Sequence, residues 1–233
     1  MPEASALALA ATMLASGDPA LLGIVGLSLR VSLTAVAVAA LVGLPLGALL
    51  AVARFPGRRA LTVALNALMG LPPVVAGLLI YLLLSRSGPL GSLGLLFTPT
   101  AMIVAQAVLV APILASLSRV VLEALWEEYA EALRSFGAGP WRAVPTLLRD
   151  GALPLLTVLL AGFGRATAEV GAVMIVGGNI EGFTRVMTTA IALETSKGDL
   201  PLALALGTVL MGVVLAVNAV AAVARGAADR AAG

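Results

Sequence analysis

Cysteine and histidine are both absent from the 233 residues, and lysine occurs once, at Lys197. Those absences exclude a disulfide, a thiol nucleophile, a Ser-His pair and a zinc site built from the usual ligands. No Gly-x-x-x-x-Gly-Lys sequence is present either, so a nucleotide phosphate would have to be handled on another chain. Charge is scarce as well: 11% of residues are charged and 4% aromatic, against 61% hydrophobic, which lies outside the range of soluble globular domains. The net charge is only +2, and no basic block interleaved with aromatics offers a surface to nucleic acid.

What is abundant is uncharged apolar sequence in long tracts. Residues 31–53, 60–85, 87–118 and 200–224 are each long enough to cross a hydrocarbon core, which takes about 20 helical residues. Spans are expected near residues 28–53, 61–85, 98–117, 151–177 and 200–224. All should be helical, because only a helix satisfies its backbone hydrogen bonds within one segment in lipid. Pro72-Pro73 lies inside the second tract and predicts a kink or break there. The apolar stretch 4–17 follows Glu3 rather than basic residues and is short for a span, so it reads as a peripheral or interfacial segment and not as a signal peptide. Arg54, Arg58 and Arg59, then Arg119, Arg134, Arg142 and Arg149, then Arg225 and Arg230 all fall on one side of this arrangement. The other side holds Arg30, Arg86, Arg185 and Lys197. By the excess of arginine the amino terminus is expected outside and the carboxyl terminus in the cytoplasm.

The connection 119–150 is then cytoplasmic. Within it Leu122, Leu125, Tyr129, Leu133 and Phe136 recur at spacings of three and four, while Glu127, Glu128, Glu131 and Arg134 occupy other faces, predicting a short amphipathic helix. Gly137-Ala138-Gly139 predicts its end, and Pro140 the first position of a second short helix over 141–148. Such a knob could dock a partner, although amphipathic surface helices are common in membrane proteins.

The residue pattern adds to the shape. Glu131-Ala132-Leu133 followed by Gly137 resembles the EAA…G signature of bacterial ABC importer permeases, in the loop where that family carries it. Two departures stand out: Leu133 replaces the second alanine, and Leu147-Leu148-Arg149-Asp150 stands where the family has I-x-L-P. Leu71-Pro72-Pro73-Val74-Val75-Ala76-Gly77-Leu78, the segments 85–91 and 97–101, and the run from Gly162 to Ile180 look like the molybdate/tungstate branch of that family. Thr184-Arg185 and the segment 188–199 resemble its tungstate-type members most closely.

The resemblance implies an all-α membrane protein of about five transmembrane helices with a cytoplasmic coupling-helix loop, as in type I ABC importers. It divides the chain into an extracytoplasmic or interfacial segment (1–27), a transmembrane permease domain (28–224) and a cytoplasmic tail (225–233). The implied setting is the bacterial plasma membrane, with a second copy of the chain, two copies of a cytoplasmic ABC ATPase and an extracytoplasmic oxyanion-binding protein. This chain would be non-catalytic and hold no cofactor, with ATP and Mg on the ATPase. Glu128, Glu131, Ala132, Arg134, Gly137 and Ala138 would couple to that ATPase.

For the translocation path or gate, Arg165 and Glu169 sit one helical turn apart in the fourth expected span. Each costs roughly 2.5–3.5 kcal/mol near the bilayer centre, so they should pair with each other or face a cavity. A buried ion pair that fixes packing and a gate both fit. Asn179, Thr184, Thr188 and Thr189 near the outer end, with Thr98 and Gln106, could donate weakly to a passing oxyanion; capping and backbone bonding are the ordinary uses of such groups. The cargo could be tungstate, molybdate or sulfate. A proton-coupled secondary transporter using Glu169 is the alternative of a different class.

Overall fold

The computed structural model describes residues 19–232 together with Ala8, Thr12 and Gly17, so the stretch 4–17 otherwise lies outside the described residues. Among the described residues there are nine α-helices, one 3₁₀ turn at Gly91–Leu93 and no strand. In chain order the helices are α1 (Pro19–Val52), α2 (Arg58–Met69), α3 (Pro73–Leu84), α4 (Pro99–Ser135), α5 (Pro140–Asp150), α6 (Ala152–Thr167), α7 (Gly171–Gly177), α8 (Met187–Lys197) and α9 (Leu200–Ala232). The expected amino-terminal boundary at residue 27 falls within α1. The helical backbone of α9 runs on through the segment expected as a tail.

Three helices are long and apolar enough to cross a membrane unaided: α1, α4 and α9 over Leu200–Val223. Two further spans are available if each of two bent pairs counts as one, α2 with α3 at 102° and α5 with α6 at 76°. The chain is thus an all-α integral membrane protein with three to five candidate spans. The 102° break falls at Gly70-Leu71-Pro72, where the double proline predicted it. In the second pair Arg142, Arg149 and Asp150 are exposed on α5, so charge keeps that helix at a surface while α6 is the apolar partner.

Two expectations need correction. The amphipathic stretch after residue 117 is not a separate short helix: it continues α4, whose 37 residues run unbroken through Pro112 to Ser135. Its length is about 55 Å at 1.5 Å per residue. The fourth expected span is not continuous, because α6 ends at Thr167 and α7 begins at Gly171. Glu169 therefore lies in the break, and the one-turn helical spacing from Arg165 does not apply.

The chain forms two compact units. One comprises Met1–Leu33, Pro73–Ala105 and Thr167–Gly233; the other comprises Thr34–Pro72 and Gln106–Ala166. In the first, α3 packs on α7 along Ala76, Gly77, Ile80 and Leu84, a face repeating every three to four residues. Gly77 permits the contact: a Cβ there would lie 2.7 Å from Ala172 Cα, closer than real atoms approach. Leu21, Ala190 and Leu206 form a core joining α1, α8 and α9 in the same unit. In the second unit the part of α1 after residue 33 packs on α2 and α4 through Leu50, Leu65 and Ala115.

Candidate functional site: a helical hairpin beyond the apolar spans

Because α4 is nearly twice the roughly 30 Å of a hydrocarbon core, its charged carboxyl-terminal third has to emerge from lipid. There the chain reverses. The Gly137 amide donates to Arg134 O at 2.9 Å and the Ala138 amide to Leu133 O at 2.9 Å, the paired bonds of a Schellman turn. Gly137 adopts φ +74°, a left-handed conformation in which a Cβ would meet the backbone carbonyl. Gly139 is extended, and Pro140 opens α5, its missing N–H costing nothing at the first position. Both helix ends predicted from the sequence are found.

Leu122 and Trp126 of α4 pack with Ala143 and Leu147 of α5, Leu155 of α6, and Ala48, Ala51 and Val52 of α1. Tyr129, Leu133 and Leu148 cover the edges. Outside lipid this burial stabilises as it would in a soluble protein, about 1.5–3 kcal/mol for a fully buried leucine such as Leu122 or Leu147. The hairpin is held by a core of its own and leaves its tip polar and exposed. Glu128, Glu131, Ala132, Arg134 and Gly137 are all exposed there, with Ala138 half-buried.

The apolar face read from spacing holds except at Phe136. That residue follows the last helical position and is 87% exposed. Trp141 at the start of α5 is also exposed. Sequence reasoning passed over both as contact residues; the signal was available, since the chain has only two tryptophans and both fall in this loop.

A second feature was not legible. Glu123 on α4 accepts from Arg119 of its own helix and from Arg58 at the start of α2, and Arg58 Nε donates to Leu50 O at 2.7 Å. One carboxylate thus ties the end of α1, the start of α2 and the emerging part of α4. Its partner on α2 is 65 positions away.

The residues expected along a path are placed as follows. Glu169 is 2% exposed, and its Oε1 accepts from the Ala172 amide at 2.9 Å, capping the restart of the chain as α7. Thr188 Oγ1 donates to Glu169 O at 2.8 Å. Thr184 Oγ1 donates to Gly177 O at 2.6 Å and accepts from the Ile180 amide at 2.9 Å, closing the turn after α7. Thr189 Oγ1 accepts from the Val186 amide at 3.1 Å, capping α8. Asn179 takes φ +50°, which asparagine tolerates, and its Nδ2 lies 3.4 Å from Thr189 O. These five residues belong to one compact unit around the α6–α7 break, whereas Arg165, in the last turn of α6, belongs to the other. Thr98 caps α4 through the Ala101 amide at 3.4 Å, and Gln106 Nε2 donates to Ala166 O at 2.9 Å. Each hydroxyl is engaged with backbone, the ordinary use named above.

The family described as "Binding-protein-dependent transport system inner membrane component" is matched over residues 43–231. The chain is 44% identical over 208 residues to the tungstate uptake system permease protein TupB of Peptoclostridium acidaminophilum, covering 89% of this chain and 91% of that one. It is 42% identical over 207 residues to a probable anion ABC transporter permease protein of Haloferax volcanii, covering 87% and 89%. Identity to the molybdenum transport system permease protein ModB of Escherichia coli K12 is 31% over 183 residues, covering 74% and 80%.

Proposed function

Because the chain belongs to the family of binding-protein-dependent transport system inner membrane components, we propose that its α4–α5 hairpin is where a separate ATPase drives it. The permease role in an ABC importer comes with the family. The finer reading is ours: the cargo is an oxyanion, tungstate first, with molybdate and sulfate the alternatives. Two copies of this chain act with two copies of an ATPase that holds ATP and Mg, and with an extracytoplasmic oxyanion-binding protein. The amino terminus is outside and the hairpin cytoplasmic, a reading supported by the arginine distribution.

The hairpin's construction is the observation that carries this. An element that transmits force must be stiff and must present a defined surface. Here α4 is one continuous helix from Pro99 to Ser135, and the hairpin core fixes α5 against it. The exposed tip carries Glu128, Glu131, Ala132, Arg134 and Gly137, and polar residues on a preorganised turn suit reversible docking better than an apolar patch would. A coupling free energy between nucleotide and transport path then has a physical carrier. The support for tungstate is the 44% identity to a tungstate permease across most of both chains.

The proton-coupled alternative loses ground at Glu169, whose carboxylate is engaged as the acceptor for the Ala172 amide. The test is to reconstitute the chain with its ATPase and binding protein and compare ATPase stimulation by tungstate, molybdate and sulfate. Stimulation by tungstate at the lowest concentration is expected. Absence of stimulation by all three would sink the oxyanion reading, and uptake by this chain alone would sink the coupling reading.

A further inference from the structure

The turn joining α7 to α8 holds one cation that the fold leaves short of partners. The Arg185 side chain is 18% exposed, its Nε is buried with no acceptor, and its ionic partner among the described residues is Glu181, met once at 3.4 Å. The Glu181 carboxylate is 83% exposed, so the pair is of the loose, solvent-screened kind that contributes little. Arg185 also stands just before Val186, the N-cap of α8. A cation there has the wrong sign for the helix macrodipole, whose N-terminal end favours an anion. A guanidinium that is mostly desolvated, loosely paired and set against a positive helix end is stabilised by a small anion that reaches its open side.

The surrounding residues fix where that guanidinium starts from. Ile180 O accepts from the Phe183 amide at 3.2 Å and from the Thr184 and Arg185 amides at 2.9 Å, and Thr184 Oγ1 ties the turn to Gly177 O. Asn179 holds a left-handed backbone, the sort of strain that persists where surrounding structure over-determines it. Asn179, Thr184, Thr188 and Thr189 were the residues expected to donate to a passing oxyanion, and their donors go to backbone carbonyls instead. They build the frame, and Arg185 is the donor it carries.

We propose that Arg185 receives the oxyanion at the extracytoplasmic mouth, with Glu181 as a resident counter-ion that the cargo displaces. A dianion carries twice the charge of the Glu181 carboxylate and, being small, reaches a guanidinium too enclosed for a carboxylate fixed on another protein's surface. One arginine without further charged donors binds weakly, which suits a station that the cargo must leave again. The proposal rests on the oxyanion reading given above.

The full chain is reconstituted with its ATPase, and modification of Arg185 by phenylglyoxal is followed by mass spectrometry; the binding protein is then added and ATPase activity and uptake are read. Tungstate should protect Arg185, and sodium chloride at equal ionic strength should not. E181Q removes the competing carboxylate and should be half-protected at a tungstate concentration lower by up to about fivefold, the factor for an exposed ion pair. R185Q should lower tungstate uptake by about tenfold or more, the factor for one charged hydrogen bond. An ion pair that only holds the turn predicts the opposite for E181Q, a loss of uptake with no gain in protection, and that result would overturn the proposal. Equal protection by chloride would also overturn it, as would protection by the binding protein without tungstate, which would give Arg185 to a docking contact. ATPase stimulation by tungstate without protection of Arg185 refutes this site alone. No stimulation by tungstate, molybdate or sulfate removes the oxyanion reading and the site with it.

Discussion

Valine at position 137 would place a β-branched side chain on a backbone fixed at φ +74°. Beyond the adjoining backbone no atom lies within 4 Å of where its Cβ would sit, so the substitution meets no packing neighbour and its cost is conformational. A left-handed residue other than glycine or asparagine costs about 1–2 kcal/mol. The Leu122, Trp126, Ala143 and Leu147 core resists any relaxation of the turn. If the strain is relieved by opening the turn, the ratio of native to opened tips falls by roughly 5- to 30-fold, the equilibrium factor for that energy. In proteoliposomes holding the chain, its ATPase and its binding protein, tungstate taken up per ATP hydrolysed should fall in the order Gly, Asn, Ala, Val. Asparagine is the informative member, since it keeps the left-handed geometry while adding a side chain. Full coupling in G137V would refute the reasoning, and so would an asparagine variant as damaged as valine, because then the dihedral angle is not what the position supplies.

Replacing Glu123 with alanine leaves Arg58 and Arg119 facing each other without their shared carboxylate; the site is about a quarter exposed, so a loss of roughly 1–2 kcal/mol is expected, read as a lower thermal midpoint in detergent. G77V should separate α3 from α7 and cost about 1–3 kcal/mol, whereas G207A, with nothing within 4 Å of the new Cβ, should leave the midpoint where it is. E169A removes the acceptor for the Ala172 amide and should cost about 1 kcal/mol, while E169Q retains an acceptor oxygen and should cost less. In ATP-loaded proteoliposomes a protonophore should not reduce uptake, and a reduction would revive Glu169 as a proton site.

Several features were legible because local chemistry decides them. Pro72-Pro73 cannot continue a helix, and the chain bends by 102° there. Gly137 and Pro140 mark the two sides of the reversal because one tolerates a left-handed backbone and the other needs no amide donor. The apolar tracts announced membrane helices by length alone. Other features were not legible, each for a physical reason. The charge at Arg119 signalled the end of a span, but a helix is indifferent to where lipid stops, so α4 continues. The break at residues 168–170 carries no proline; it rests on the local cap from Glu169 to the Ala172 amide together with the bond from Thr188, 19 positions away, which no local pattern reveals. Phe136 kept the spacing of the apolar face yet lies past the last helical residue, where that spacing no longer determines direction. The Arg58–Glu123 pair required the packing of α2 on α4 to be known first.

The continuity of α4 has a geometric consequence. A helix is a screw, so the azimuth of the hairpin tip relative to the apolar part of α4 is set by the number of residues between them. One residue inserted between Leu117 and Glu123 turns everything beyond it by about 100° and advances it by about 1.5 Å, carrying the tip to another side of the molecule. Seven inserted residues, close to two full turns, nearly restore the heading and displace the tip along the axis instead. The stretch from Leu117 to Glu123 therefore acts as a phase setting, in which chain length constrains evolution as strictly as side-chain identity does at the tip.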